Sequence, residues 1–197
     1  TTKYLDGHAA TVGGAVVDSG QFDWMAHAEK YPGLCTPDAS YHGLTYTKAF
    51  GKMGYLTKLV AQLMRDLGSI PSPHNSYLLN LGLESSHLRM AQHCRNAQQI
   101  AEYLEQQEQV AWIHYCGLKN DAHYARGQKY LPNGSCGVIA FGLKGNRDTA
   151  IRFMDSLRLI NIATHVADSR TCVLHPASHT HRQLTDEQLR ASGIDPT

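Results

Sequence analysis

The sequence predicts a mixed α/β protein whose second half is an α+β layer. Three observations carry that expectation. After residue 84, helical and strand patterns alternate without a strict strand–helix–strand rhythm, which suits helices covering a mixed or antiparallel sheet. Over 84–107, Met90, Cys94, Ala97, Ala101 and Leu104 recur at helical intervals, and Ile100 widens the stripe. The 197 residues are 42% hydrophobic and 18% charged, with a mean hydropathy of −0.36, the balance of a chain that buries a real core.

The elements follow in order. Residues 12–18 (VGGAVVD) form a short β-branched run ended by Ser19-Gly20, which predicts a strand and a turn. Residues 20–46 are aromatic and rich in Pro and Gly, and read as a long ordered loop with one short helix. Helical spacing of Leu56, Leu59, Val60, Leu63, Met64 and Leu67 predicts a helix over 55–67, stopped by Gly68. A short helix is expected over 75–81, ended by Gly82, and the long helix follows. Strands are predicted at 110–115, 135–143, 160–166 and 171–174, and a weak helix at 121–130. Asn146 is a good N-cap for a helix through Leu157. Thr185 and Gln188 suit a capping box for the last helix, with Gly193 just beyond its end.

Charge excludes several classes of partner. Lys+Arg 18 against Asp+Glu 17 leaves a net charge of +1, so no basic excess serves a nucleic acid and no polybasic run serves a membrane surface. No apolar stretch approaches the ~20 residues needed to span a bilayer. The five cysteines are odd in number, lack a CxxC and mostly sit among apolar neighbours, which predicts reduced thiols and a cytoplasmic setting. The chain begins at Thr1 without Met or signal peptide, and TTKYLDGH reads like the middle of a gene, so a fragment is expected.

Several constellations could carry chemistry. Lys3 follows Thr1 and Thr2 and precedes Gly7, Gly13 and Gly14. A lysine whose amine is kept neutral can attack a carbonyl, hydroxyls beside it can hold a phosphate, and glycines let backbone approach a flat cofactor. A surface lysine near a turn is the bland alternative. His175, His179 and His181 invite a zinc reading, but no acidic or cysteine partner stands at ligand spacing. No metal is expected there, and polar histidines lining a cleft at a strand end are the better expectation. Tyr41-His42-Gly43 could transfer protons or simply pack a loop. Residues 72–77 (SPHNSY) read as a helix start.

The segments TTKYLDGH, GGAVVDSGQFDW, PDASYHGLTYTKAFG, SPHNSYLLNLGLESSHLRM, CGVIAFGLKG and VLHPASHTHRQLTDEQLRASGI occur in this order. Together they closely resemble the O-acetylhomoserine sulfhydrylases, which belong to the cystathionine γ-synthase-like, pyridoxal-phosphate-dependent enzymes of Cys/Met metabolism. The resemblance covers essentially the whole chain. It implies the C-terminal half of an aspartate aminotransferase-like fold. Residues 1–89 would end the cofactor-binding domain, with an inserted loop and a linking helix, and 90–197 would form an incomplete α+β domain. The junction is then expected near Arg89–Met90, inside an unbroken helix.

The resemblance also implies roles. Lys3 matches the lysine that forms an imine with pyridoxal phosphate and moves protons during the reaction. Thr2 matches a hydroxyl residue at the cofactor phosphate. His165 stands where many members carry Asn or Ser near the substrate carboxylate, so its role as a substrate contact stays open. Cys116 and His179 stand where Pro and Thr are common. The implied reaction replaces the acetate of O-acetylhomoserine with sulfide or a small thiol, giving homocysteine or methionine, in a homo-oligomer, a tetramer. Cystathionine synthesis and γ-elimination of methionine are the near alternatives. An isolated fragment without activity, serving as an interaction domain, is the distant one.

Overall fold

A computed structural model describes residues 1–197, which divide into two compact units. One is the continuous segment Gly14–Pro73, and the other joins Thr1–Gly13 to His74–Thr197.

The Gly14–Pro73 unit is helical and aromatic. It holds α1 (Pro32–Cys35), α2 (Tyr46–Phe50), α3 (Gly54–Lys58) and α4 (Arg65–Leu67), with a π-helical stretch, Leu59–Met64, between α3 and α4. The helix expected over 55–67 is therefore present. Gly68 stops it with a left-handed φ of 69°, a conformation glycine adopts without penalty. The predicted loop carries more helix than expected, because Met25–His27 and Ala39–Tyr41 form 3-10 turns besides α1. Leu34, Cys35 and Tyr46 form the core, and Trp24, Ala28, Tyr41, Leu44 and Tyr55 pack around them. Trp24 stacks on Tyr55 with centroids 5.2 Å apart and meets Tyr31 edge-on.

The other unit begins its regular structure with α5 (Pro73–Glu84) and α6 (Ser86–Glu105). Two expectations fail here. Gly82 does not end a helix but lies inside α5, and the helix expected without interruption from Glu84 is broken at Ser85, whose φ and ψ are −100° and 1°. From Ser86 onward the helix runs unbroken through Arg89 and Met90. Ala97 and Ala101 of its apolar stripe are buried against Tyr115 and Leu118, and Ile113 and Ile139 cover them. Ile100 turns outward instead.

Strand β1 (Val110–His114) pairs antiparallel with β2 (Ala140–Leu143), with Ile113 opposite Phe141 and an irregularity between Val110 and Trp112. Helix α7 (Tyr124–Tyr130) lies between them in sequence. Helix α8 (Arg147–Ser156) follows β2, and Phe153 meets Phe141 edge-on at 5.9 Å. Asn146 caps α8 through a reciprocal box with Thr149. Strands β3 (Asn161–Ile162) and β4 (Cys172–Val173) form a short parallel pair. Helix α9 (Asp186–Ala191) starts at the Thr185–Gln188 capping box. Its end is a Schellman turn in which Gly193 N–H donates to Arg190 O and Ile194 N–H to Leu189 O.

The predicted strands shorten for a common reason. A strand exists only where a neighbour accepts its ladder, and only 140–143, 161–162 and 172–173 of the three longer predicted runs find one. Residues 12–18 join no strand ladder, and Val12 and Val17 are 80% and 90% exposed. No helix is long and apolar enough to cross a membrane.

Candidate active site

Lys3 sits in the first turn of the chain. Asp6 N–H donates to Thr1 O and Gly7 N–H to Lys3 O, at 3.2 and 2.8 Å. Gly7 has φ +77°. The Asp6 carboxylate is buried and accepts the N–H groups of Ala10 and Thr11, at 2.7 and 3.2 Å, which closes the next bend. The Lys3 side chain is exposed.

Three neighbours fix this turn. From α6, the Arg89 guanidinium donates to Tyr4 O at 2.9 Å, to Leu5 O at 3.3 Å and to Gly82 O at 2.7 Å. The Tyr4 hydroxyl accepts Gly137 N–H at 2.8 Å, and its ring meets His93 edge-on with centroids 5.4 Å apart. Ser169 N–H donates to Gly7 O at 2.9 Å, and Ser169 Oγ lies 3.4 Å from His8 Nδ1. Burial raises the Tyr4 phenol's pKa, and it lowers that of His93 with help from the Arg89 charge.

Thr2 is placed beside Lys3 with its hydroxyl engaged. Thr2 Oγ1 accepts Gly13 N–H at 3.0 Å and donates to Gly13 O at 3.2 Å. A primary amine and a hydroxyl on consecutive residues of one braced turn fit part of what a pyridoxal phosphate needs, a nucleophile for its aldehyde and a donor for its phosphate. The phosphate would have to draw the Thr2 proton away from Gly13 O.

His165 begins the loop that reaches this turn through Ser169. Its Nε2 is buried, has no hydrogen-bond partner and lies 3.8 Å from Asp168 Oδ2. Asp168 is buried and gripped by Arg170, whose Nε and Nη2 donate to its two oxygens at 3.1 and 3.0 Å. Those charge-assisted bonds hold the Asp168 pKa down to about 2. The Lys3 turn and the loop that carries His165 are thus joined by the backbone bond from Ser169 to Gly7.

The other constellations have local duties. His175 Nδ1 meets Ser178 Oγ at 2.9 Å, His179 Nδ1 meets the His175 carbonyl at 3.0 Å, and His181 Nδ1 meets Thr180 Oγ1 at 2.9 Å. His179 and His181 stand in successive turns, not at a strand end, while His175 lines a small hollow with Phe153 and Val173. Burial pushes the His175 pKa down. The Tyr41-His42-Gly43 run is a tight turn, with φ of 54° at His42 and 80° at Gly43, and the Tyr41 hydroxyl donates to Ala61 O. All five cysteines are free. Cys35 Sγ donates to Trp24 O, and Cys172 Sγ donates to His165 O.

Sequence reasoning missed Arg89, Tyr4, His93, Asp168 and Arg170. Nothing local announced them: Gly82 and Arg89, seven residues apart, fall in different helices on either side of the Ser85 break.

Comparison with known proteins supplies the family. The chain is 40% identical, over 195 residues, to O-acetyl-L-homoserine sulfhydrylase 1 of Thermus thermophilus, covering 99% of this chain and 46% of that protein. It superposes with a TM-score of 0.85 and 31% identity on a Campylobacter jejuni structure described as an O-acetylhomoserine (thiol)-lyase, which carries a pyridoxyl-lysine phosphate. That match covers 99% of this chain and 46% of the other. A cystathionine γ-synthase of Xanthomonas oryzae, solved with aminoacrylate and cysteine, superposes with a TM-score of 0.71 and 27% identity, covering 99% of this chain and 42% of that one. The fold class expected from the sequence agrees with these neighbours. The chain spans less than half the length of the curated relatives it matches. Residues 1–197 match the model of the Cys/Met metabolism PLP-dependent enzymes along their whole length, and the chain belongs to that family.

Proposed function

We propose that the protein carrying this chain is an O-acetylhomoserine sulfhydrylase in which Lys3 is the cofactor lysine. It exchanges the acetate of O-acetyl-L-homoserine for sulfide or a small thiol, giving homocysteine or methionine. The observation that carries the reading is the bracing of the Lys3 turn from three sides, in a chain 40% identical to a sulfhydrylase. A lysine left free on the surface needs no such scaffold.

Pyridoxal phosphate, when bound, supplies an electron sink for the carbon next to the substrate's amino group. The chain's own residues supply the rest. Lys3 Nζ, as a neutral amine, would hold the cofactor through its aldehyde carbon, with loss of water, and would be freed when the substrate's amino group took its place. The released Nζ would be the base for the Cα proton and could return it to a neighbouring carbon. Thr2 Oγ1 would donate to the phosphate in place of Gly13 O. His165 Nε2, which is buried with no hydrogen-bond partner and lies 3.8 Å from Asp168 Oδ2, is the group we assign to the substrate carboxylate. The functional division at 1–89 and 90–197 is part of the proposal, with the junction in α6.

We further propose a homo-oligomer, a tetramer, in the cytoplasm. The likeness to a cystathionine γ-synthase favours cysteine as an alternative sulfur donor. Assays with sulfide, methanethiol and cysteine separate these reactions, and methionine cleavage would mark a lyase. The 197 residues alone are expected to turn over no O-acetylhomoserine and to bind the cofactor loosely, which a spectroscopic titration tests.

Borohydride reduction of the cofactor-loaded protein, followed by peptide mapping, tests the assignment of Lys3. The label should fall on Lys3 and vanish in Lys3→Ala. A label on Lys30, Lys48, Lys52, Lys58, Lys119, Lys129 or Lys144 would overturn it.

A further inference from the structure

The Arg89 guanidinium is spent on oxygens of the backbone and of a hydroxyl. Its Nη1 donates to Tyr4 O, its Nη2 to Leu5 O and Gly82 O, and its Nε to Ser85 Oγ at 3.1 Å. Two of these acceptors are the peptide carbonyls immediately after Lys3. A planar cation with a fixed fork of donors can hold several carbonyls in one geometry, which a lysine cannot.

The surroundings are shaped to let it do so. A Cβ on Gly7 would lie 2.1 Å from Arg89 Nη1, and a Cβ on Gly82 would lie 2.3 Å from Asp6 O and 2.7 Å from Leu5 O. Glycine at both places lets the turn sit directly on α5 and lets the guanidinium reach its carbonyls. The break at Ser85 turns a hydroxyl toward Nε. A brace for the α5–α6 junction needs only Gly82 O and Ser85 Oγ. The other two bonds, to Tyr4 O and Leu5 O, do nothing for that junction, and what they fix is the backbone from which the Lys3 side chain springs.

We propose that Arg89 is a positioning residue for Lys3, setting the direction in which its amine is presented. The proposal rests on the reading of Lys3 as the cofactor lysine. A lysine is long, and displacement of its root by about 1 Å can lower a reaction on the order of a hundredfold.

The test uses the full chain and three measurements: melting temperature, amide exchange and borohydride trapping at limiting pyridoxal phosphate. Arg89→Met removes every contact. Arg89→Lys keeps the charge and at most one carbonyl. Ser85→Ala keeps all three carbonyl contacts. Met154→Ala, which empties a buried position outside the turn, is the stability control. The Asp6 and Gly7 amides should exchange about tenfold faster, or more, in both Arg89 variants, while residues 110–114 keep their protection. Trapping at Lys3 should fall about tenfold in both. Ser85→Ala and Met154→Ala should leave exchange at the turn and trapping within about twofold, whatever their melting temperatures. If Arg89→Met does not fold, the contrast between Arg89→Lys and Ser85→Ala decides. Unchanged exchange and trapping in Arg89→Lys would overturn the proposal, as would equal changes in Met154→Ala. In the unsubstituted protein, a label on another lysine sinks both readings. A label on Lys3 that ignores Arg89 sinks only the positioning.

Discussion

Residues 1–13 and residues 14–73 both lack strands, yet they are held still by different forces. In the first, hydrogen bonds to main-chain atoms do the holding: Arg89 on Tyr4 and Leu5 carbonyls, Asp6 on two amides, Ser169 on Gly7. In the second, rings do it. Tyr46 is 1% exposed, and around it Tyr41, Tyr55 and Trp24 pack with Leu34 and Cys35. A segment held by its backbone is sensitive to where a Cβ is allowed. A segment held by rings is sensitive to the volume of one side chain.

The sharpest way to break the comparison is to remove volume from the ring-held segment. Tyr46→Ala deletes a fully buried aromatic and should lower stability by about 3–5 kcal/mol. The corresponding experiment on the backbone-held segment adds volume. Glycine to alanine inside a helix normally gains about 1 kcal/mol. In α5 the sign should reverse, because the Gly82→Ala methyl would meet the backbone oxygens of Asp6 and Leu5. A net loss of about 2 kcal/mol is expected from overpacking. Denaturant melts of both variants check the pair, and a Gly82→Ala protein more stable than its parent would show that the turn is not pressed onto α5.

Charge gives the next test. Lys58 Nζ lies 2.8 Å from Asp38 Oδ2 and 4.7 Å from the Tyr46 ring centroid, and both side chains are about one-sixth exposed or less, at 16% and 14%. Lys58 is thus held within the fold and is not a hydrated surface lysine. The Lys58 bond, with Ser40 helping, holds the Asp38 carboxyl well below the usual carboxylate range. A depressed acid stabilises the fold above its unfolded pKa of about 3.9 and loses that contribution as pH falls below it. Lys58→Met should therefore lower stability at neutral pH, and the loss should shrink as pH drops below about 4. Melting curves between pH 7 and pH 2 read it. A loss independent of pH would assign the effect to packing of the lysine stem.

These regions also mark what could be read from sequence. Patterns that close within a few residues were legible. The Thr185–Gln188 box, the Asn146 cap, the Gly193 turn and the Ala97–Ala101 stripe all stand as expected. Patterns that need a distant partner were not. Residues 12–18 look like a strand because they are β-branched, but a ladder requires a second strand. Arg89 looked like a polar residue on the solvated side of α6, since nothing local announces that its acceptors lie more than eighty residues away. Of the proposed site, Lys3 and Thr2 come from their motif, and His165 from its departure from one. The groups that hold them, Arg89, Tyr4 and Asp168, entered only with the fold.

The smallest expected effect separates ring volume from ring chemistry. Tyr46 Oη is buried and has no hydrogen-bond partner in the protein. In the unfolded chain the same hydroxyl is hydrated, so folding gives up that hydration with no protein bond to replace it. Tyr46→Phe removes the hydroxyl and keeps nearly all the packing, and should be neutral or stabilising by about 1 kcal/mol. Its pH dependence is also distinctive. Burial raises the Tyr46 pKa, and a raised pKa means that the fold favours the protonated phenol. That contribution is complete below the unfolded value of about 10 and is lost as pH climbs from there toward the folded value. The parent should thus weaken above about pH 10 relative to Tyr46→Phe, and the gap between them should widen toward pH 11. Equilibrium unfolding at pH 7, 10 and 11 measures it. A Tyr46→Phe protein clearly weaker than its parent at pH 7 would mean that the hydroxyl has a bonded partner in solution, and that this core is held by a polar link as well as by its rings.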